Sequence, residues 1–323
     1  VRARPAPSAF PAAIIALSLA LAACGPLGGA GTPTTTGPPT AVRSPIGPTA
    51  TTARPVKVGT FDSVSDHRYD YQGALLHMRA LDDRGRLATR DFDRFICGVS
   101  LIGRSYALTA AHCLFVEKGV TPQQTAVDLR VQFGRPRLTG KGGVRRRVKA
   151  VKVHPRYKHS EEGSVYDVAV LTLSEPVTSI EPVALVQPKQ DLSGTGQVVT
   201  FTGWGDAKRH AAGHEDDAKL RDRMRAAHVA LMHRSVCQTV YPDVLERDSA
   251  GALVLCMRTD EGVGSCLGDS GGPVVAWRGD EPVQVGIISF GAGCSDPDFP
   301  GVATRLAAGP IGGFVRTATG AGG

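Results

Sequence analysis

This 323-residue sequence predicts an all-β fold, on two observations. Glycine (39 residues) and proline (22) favour turns and short strands over long helices. Few windows carry a 3.6-residue apolar period long enough for an amphipathic helix. Length and balance, with 42% hydrophobic and 21% charged residues, suit one sizeable domain or two small ones with a real core.

Arg2 and Arg4 precede an apolar stretch from Ala12 to Ala23, about twelve residues and too short to span a bilayer. Residues 1–23 therefore read as an export signal. The closing Leu21-Ala-Ala-Cys24 resembles the bacterial lipobox, which implies removal of the signal before Cys24, lipidation of its thiol and a place outside the cytoplasm on the cell membrane. A cut after Ala22 or Ala23, with free secretion and a spare thiol, is the other reading. Residues 24–55 are Thr, Pro, Gly and Ala with almost no large apolar side chains, too little to offset the entropy of ordering them. They are expected to be a tether, whose threonines offer glycan acceptors, and residues 56–323 the folded domain.

Seven cysteines in an exported chain point to disulfides, and setting Cys24 aside leaves an even six. The formal charge of +7 falls by two once Arg2 and Arg4 leave with the signal. Much of the rest is local: from Leu129 to Ser160 there is no acid, while Arg130, Arg145, Arg146, Arg147, Lys149, Lys152, Arg156 and Lys158 all fall there. Segment 130–158 is either a solvated hairpin or the contact for an acidic partner. Nucleic acid is not expected, because no aromatic interleaving or recognition motif accompanies the charge.

Three short segments carry chemistry. In "GVGSCLGDSGGP", Gly262 to Pro273, Ser270 stands between Asp269 and two glycines, just before a strand-like run. A serine hydroxyl needs a base within hydrogen-bond reach and a group that orients the base. Of nine histidines only His112 lies in "LTAAHC", where a β-run gives way to a small-residue turn. Asp167 opens the strand-like "YDVAVLTL". The other histidines, among them His154, His210 and His214, are read as surface residues.

Taken together, these segments closely resemble the chymotrypsin/trypsin-like serine peptidases, in the family's chain order of histidine, aspartate and serine, from about Tyr71 to about Phe314. "FTGWG", Phe201 to Gly205, and "ISFGAGC", Ile288 to Cys294, match the family away from the chemistry. The resemblance implies two six-stranded antiparallel β-barrels with the site between them and a short C-terminal helix near Pro310 to Thr319, weakened by Gly312 and Gly313. It makes Ser270 the nucleophile, His112 the base and Asp167 the group that holds the imidazole, with the N–H groups of Gly268 and Ser270 as oxyanion donors. Asp269 becomes the acid that locks this loop. Ser289, Phe290 and Gly291 become the strand that pairs with substrate, and Ser289 a partner of Asp167. The resemblance pairs Cys97 with Cys113, Cys237 with Cys256, and Cys266 with Cys294; Val199 and Ala276 replace a further family bridge.

The pattern also departs from the family. Gly264, six residues before Ser270, takes the place where peptidases that cut after Lys or Arg carry an aspartate. With Gly291 and Gly301 at the walls and Ser265 adding only a hydroxyl, an open, uncharged pocket for apolar side chains is expected, biased at most by Asp296 and Asp298. No Ile-Val-Gly-Gly-like activation sequence is present; the nearest match, "KVGTF" from Lys57, would start at Val58 after a cut. The "YQGALL" segment, Tyr71 to Leu76, resembles bacterial members without that step, so no obligatory activation is expected. Carboxylates for calcium are missing from the family's calcium loop, and neither metal nor cofactor is expected. The expected function is an exported serine endopeptidase acting as a monomer on protein or peptide. The alternatives are a non-catalytic surface binding protein on the same fold and an esterase.

Overall fold

The computed structural model describes residues 57–320, save 65–66, 117–118, 161–162, 189, 191, 215–216, 246–249 and 260–262. The expected signal, Cys24, the expected tether and Val56 lie outside the described residues.

Side-chain alternation is clearest where a strand has one wet face. In Val144–Val153, Arg145, Arg147, Lys149 and Lys152 are exposed while Val148 and Val151 are buried; the alternation slips by one residue at a bulge between Val148 and Ala150. Where both faces are covered the alternation vanishes, as in Gln72–His77, buried throughout.

After β1 (Thr60–Ser63), the first barrel is built from β2 (Gln72–His77), β3 (Phe95–Gly103), β4 (Tyr106–Thr109), β5 (Leu129–Phe133), β6 (Val144–Val153) and β7 (Ala169–Leu173), closed antiparallel in the order β2-β3-β4-β7-β6-β5. A short β8 (Ala184–Leu185) leads to the second set: β9 (Val198–Gly203), β10 (Arg225–Met232), β11 (Val254–Met257), β12 (Pro273–Arg278), β13 (Glu281–Phe290) and β14 (Gly301–Arg305). These run β10-β11-β14-β13-β12-β9 and close through the β9–β10 pairing, giving a second six-stranded antiparallel barrel. β1 adds an antiparallel strand to β10, and β8 a parallel bridge to β13. Closure removes free edges from both sheets. Leu75, Leu101, Leu108, Phe133 and Leu171 fill the first core; Val199, Phe201, Val274, Val285 and Ile287 belong to the second, each fully or almost fully buried. Each such side chain contributes about 1.5–3 kcal/mol.

The seam between the barrels is partly polar and very close. Thr202 Oγ1 donates to Gln72 Oε1 (2.9 Å) and Ser100 Oγ to Gln284 Oε1 (2.8 Å), which satisfies groups that water cannot reach. Gly98 faces Gly272 so tightly that a β-carbon on Gly98 would lie 2.8 Å from its Cα and N. Gly98 also donates its N–H to Ser270 O at 2.7 Å, tying the first barrel to the turn that carries Ser270.

All three disulfides implied by the resemblance are formed, Cys97–Cys113, Cys237–Cys256 and Cys266–Cys294. Val199 and Ala276 are buried as ordinary core residues. The C-terminal helix spans Gly309–Thr319, with Pro310 in its first turn and Gly320 in the left-handed conformation at its end. Ile311, Val315 and Ala318 bury one face, and this packing outweighs the two glycines. One expectation is corrected here. His154 is 5% exposed, not a surface residue: it stacks on Tyr166 (ring centroids 4.7 Å apart) and meets Phe314 of the helix edge-on at 4.9 Å.

His228, 2% exposed, is, like His77 (6%), not the surface histidine expected, and it latches β1. Trp277 Nε1–H donates to Thr200 Oγ1 (2.9 Å), so the Thr200 hydroxyl is free to donate to His228 Nδ1 (2.8 Å). That leaves the proton of His228 on Nε2, from which it reaches Asp62 of β1 at 3.0 Å.

Candidate active site

The barrel ends meet at a cleft of about 280 Å³, lined by His112, Asp167 and Ser270 from three separate segments. His112 begins a single turn of 3₁₀ helix after β4, and its neighbour Cys113 is pinned by the disulfide to β3. Asp167 lies just before β7, after Tyr166, which is held at φ 62°. A left-handed aromatic residue is uncommon and costs conformational energy, offset here by the stack on His154 and the Arg156 bond to its hydroxyl (2.7 Å). The strained turn points Asp167 inward.

The Asp167 carboxylate is buried and saturated with donors. Oδ2 faces His112 Nδ1 at 2.8 Å and accepts from Ser289 Oγ at 2.5 Å, while Oδ1 accepts from the His112 backbone N–H at 2.9 Å. Thr304 Oγ1 donates to the Asp167 carbonyl (2.9 Å). Ser289 reaches it because β13 bulges between Ile288 and Phe290. Burial opposes ionisation of Asp167, but the imidazole, Ser289 and the backbone donor outweigh it, and its pKa lies below the ordinary carboxylate value. Burial likewise opposes charging of His112, yet the Asp167 charge and hydrogen bond prevail and raise its pKa above the ordinary imidazole value. Nδ1 of the neutral ring thus carries the proton, and Nε2 is the free base. Nε2 stands 3.6 Å from Cys113 Sγ, and among the described residues Ser270 Oγ has no hydrogen-bond partner.

Gly268 stands at φ 101°, where a side chain would be strained and would meet Leu220. Among the described residues the N–H groups of Gly268 and Ser270 have no protein acceptor. Asp269 is buried; it accepts from Gly205 N (2.9 Å) on Oδ1 and from Cys266 N (3.0 Å) on Oδ2. Burial raises its pKa to about 7, against the pull of those two donors and of the Arg225 charge.

Ser265, Ser289, Phe290 and Gly291 line the cleft as well, but Gly264 and Gly301 are not on its surface. A β-carbon on Gly264 would come within 2.8 Å of Thr259 Cγ2, and Ser295 Oγ is bonded to both its N–H (3.0 Å) and its carbonyl (3.2 Å). Gly301 is backed by Ser265 Oγ and Met257. Asp296 does not face the cleft; it is buried in an ion pair with Arg209 at 3.2 Å, while Asp298 is exposed. His210, expected at the surface, is half-buried against Asp206, whereas His214 is exposed. Tyr157, His159 and Leu267 also line the cleft; Tyr157 and His159 stand in no motif that could have marked them, and Leu267 lies within the Ser270 segment without being singled out by it. Thr259 and Ser295 carried no signal either, because their role is defined by what they fill behind a glycine. The one cluster of metal-type donors among the described residues is Cys97, His112 and Cys113, whose two sulfurs are bonded to each other and do not suit a metal.

Two closed antiparallel barrels with a serine, a histidine and a buried aspartate in the cleft between them define the serine-peptidase class of double-barrel fold. A family model described as Trypsin matches residues 64–309. The chain is 31% identical over 230 residues to testisin of Homo sapiens, covering 67% of this chain and 68% of that protein. It is 30% identical over 222 residues to a trypsin of Saccharopolyspora erythraea, covering 69% and 86%. It is 34% identical over 217 residues to transmembrane protease serine 9 of Rattus norvegicus, covering 66% of this chain but only 18% of that protein. The solved structure of neuropsin, a serine protease expressed in the limbic system of mouse brain, shares the fold with a TM-score of 0.61 at 23% identity, covering 80% of this chain and 98% of that one. The chain belongs to the trypsin family of serine proteases.

Proposed function

We propose that this protein is an exported serine endopeptidase that hydrolyses peptide bonds through an acyl-enzyme, with Ser270, His112 and Asp167 as its catalytic residues. The observation that carries this is the His112 Nδ1–Asp167 Oδ2 contact of 2.8 Å, buttressed by Ser289, in the cleft that Ser270 also lines. Asp167 fixes the imidazole with its proton on Nδ1, and Nε2 takes the Ser270 proton as Oγ attacks the carbonyl. The oxyanion forms against the N–H groups of Gly268 and Ser270, which have no acceptor among the described residues. His112 then returns its proton to the leaving amine, and water repeats the sequence on the acyl-enzyme.

Thr259 and Ser295 stand against Gly264, and Ser265 and Met257 against Gly301, with no ionisable side chain among them. This supports a preference for apolar over Lys or Arg side chains. Labelling the full chain with a fluorophosphonate and assaying peptide and ester hydrolysis tests the whole reading. Ser270 is expected to label, and Ser270→Ala to fold normally and lose both activities. Wild-type turnover in that variant would sink the assignment. Unlabelled wild type favours a binding protein, and ester without peptide hydrolysis favours an esterase.

Three further expectations are proposed with it. The signal of residues 1–23, the anchor at Cys24 and the tether up to residue 55 predict a lipid-modified N-terminus, to be read by mass spectrometry; an unmodified Cys24 rejects the anchor. Among the described residues no helix is long and apolar enough to cross a membrane. The exposed Arg147, Lys149 and Lys152 of β6 support an acidic partner at segment 130–158, and retention on a polyphosphate matrix that charge reversal of these three leaves unchanged rejects it. The chain is expected to act as a monomer, checked by light scattering.

A further inference from the structure

Asp269 ends the Gly268–Asp269 turn that precedes Ser270, and its two oxygens are met by backbone, from Gly205 and Cys266. Among the described residues no ion pair reaches it. Val58, the residue that a cut after Lys57 would place first, is 36% exposed, and the N–H of its neighbour Gly59 is bonded to His228 O on β10 (2.9 Å). In the uncut chain the Asp269 turn is therefore supported without any pairing to a new terminus at Val58.

Two described stretches, Asp206–His210 and Lys219–Arg221, are joined through Asp206 and do reach this turn. Asp206 is 5% exposed and ties them together, accepting from Lys208 N, Lys219 N and His210 Nε2, each at 3.1 Å. Burial opposes its ionisation, but these donors outweigh that and hold its carboxyl at about 2. From this junction, contacts run to both sides of the site. Leu220 packs on Gly268, with its Cδ2 2.4 Å from where a β-carbon would stand, and Arg221 N is bonded to Trp204 O (2.8 Å) next to the Gly205 that holds Asp269. On the other side His210 exchanges both backbone hydrogen bonds with Cys294 (2.9 and 2.8 Å), and Arg209 Nη2 pairs with the buried Asp296 (3.2 Å). Cys294 is bridged to Cys266, and both cysteines line the cleft.

We propose that Asp206–His210 and Lys219–Arg221, joined through the Asp206 carboxylate, form a built-in clamp, holding the oxyanion turn and the pocket rim in working shape in the uncut chain, with Asp206 and Arg209 as positioning residues. This rests on the serine-peptidase reading above. Loss of the Arg209 guanidinium leaves the buried Asp296 carboxylate, among the described residues, with only the Asp298 N–H (3.2 Å) and loosens the rim, which acts on substrate binding. An amide at position 206 turns one acceptor into a donor against the N–H groups of Lys208 or Lys219, parts the two stretches and withdraws Leu220 from Gly268, which acts on the chemical step.

The test uses the full chain, shown by mass spectrometry to be uncut at Lys57, with Arg209→Ala, Arg209→Lys and Asp206→Asn variants. Readouts are kcat and KM on a peptide amide, the rate of fluorophosphonate labelling at Ser270, and thermal unfolding. Uncut wild type is expected to turn over, and a cut after Lys57 to leave its rate unchanged. Arg209→Ala is expected to raise KM about tenfold at nearly constant kcat, Arg209→Lys to recover to within about threefold, and Asp206→Asn to lower kcat and labelling about tenfold. Arg209 is 58% exposed, so its variants keep the fold and their melting points report that directly. Wild-type constants in both Arg209→Ala and Asp206→Asn overturn the clamp, as does an uncut chain that is inert until cleaved. A wild-type chain that neither labels nor turns over, cut or uncut, overturns the peptidase reading and the clamp with it.

Discussion

At the scale of single residues, two titrations separate the chemistry of the cleft from the stability of the turn behind it. In the proposed mechanism His112 works as a base only when neutral, and Asp167 raises its pKa. Activity is therefore lost as pH falls through a value above that of an ordinary histidine, about 6.5. A kcat/KM profile checks this, and an acid limb at or below the ordinary value rejects the pairing. Asp269 titrates for a different reason. Burial lifts its pKa to about 7, so the folded state keeps a proton that the unfolded chain releases near pH 4. Between those two values the folded state binds more protons, and its stability falls as pH rises, levelling off above about 7. Comparing melting points of wild type and Asp269→Asn across pH 4–8 isolates this slope, which is expected to vanish in the variant.

Elements carry the next set of constraints. Two of the disulfides do different work although chain entropy values them alike, at about 2–4 kcal/mol each. Cys237–Cys256 ties the helix Arg234–Val240 to β11, away from the cleft. Cys266–Cys294 joins the segment before Ser270 to the rim after β13, and both cysteines line the cleft. Replacing each pair by alanine is expected to lower stability by similar amounts, while only the Cys266/Cys294 variant raises KM for peptide substrates. Equal effects on KM would mean that the rim disulfide has no part in shaping the pocket. The β13 bulge belongs to this scale as well: without it Ser289 would not turn toward Asp167.

The whole molecule is two barrels whose seam decides whether their loops meet in register. Gly98 and Gly272 touch backbone to backbone, and the same Gly98 N–H holds the Ser270 carbonyl. Gly98→Ala places a methyl 2.8 Å from Gly272 and must part the barrels slightly. The expected cost is about 1–3 kcal/mol of stability, with a fall in kcat larger than the change in KM, because His112 and Ser270 come from opposite sides of the seam. Denaturant unfolding together with kinetics measures both, and an unaffected kcat removes the seam from any role in alignment.

How far the sequence could be read depended on how local the information was. The cysteine parity, the glycine-rich turn at Ser270, the small-residue turn at His112 and the strand behind Asp167 are local patterns, and they name residues that meet in one cleft. Their resemblance to a known family extended this to the double barrel and the three disulfides. The helix at Gly309–Thr319 also came from the resemblance, and burial of Ile311, Val315 and Ala318 explains why it forms despite its glycines. What remained hidden depends on partners distant in the chain. His154 looks like any histidine in a basic stretch until Tyr166 and Phe314 enclose it. Gly264 suggests an open floor until Thr259 and Ser295 are found behind it. Asp296 suggests a charge for the pocket until Arg209, from a loop far earlier in the chain, takes it up. In "GDSGGP" the sequence alone determined the residue types that this chemistry requires and the order in which the chain supplies them. Only the tertiary structure decided what supports Asp269 and seals the pocket, since burial and hydrogen-bond satisfaction belong to surroundings assembled from remote segments, not to any one stretch of sequence.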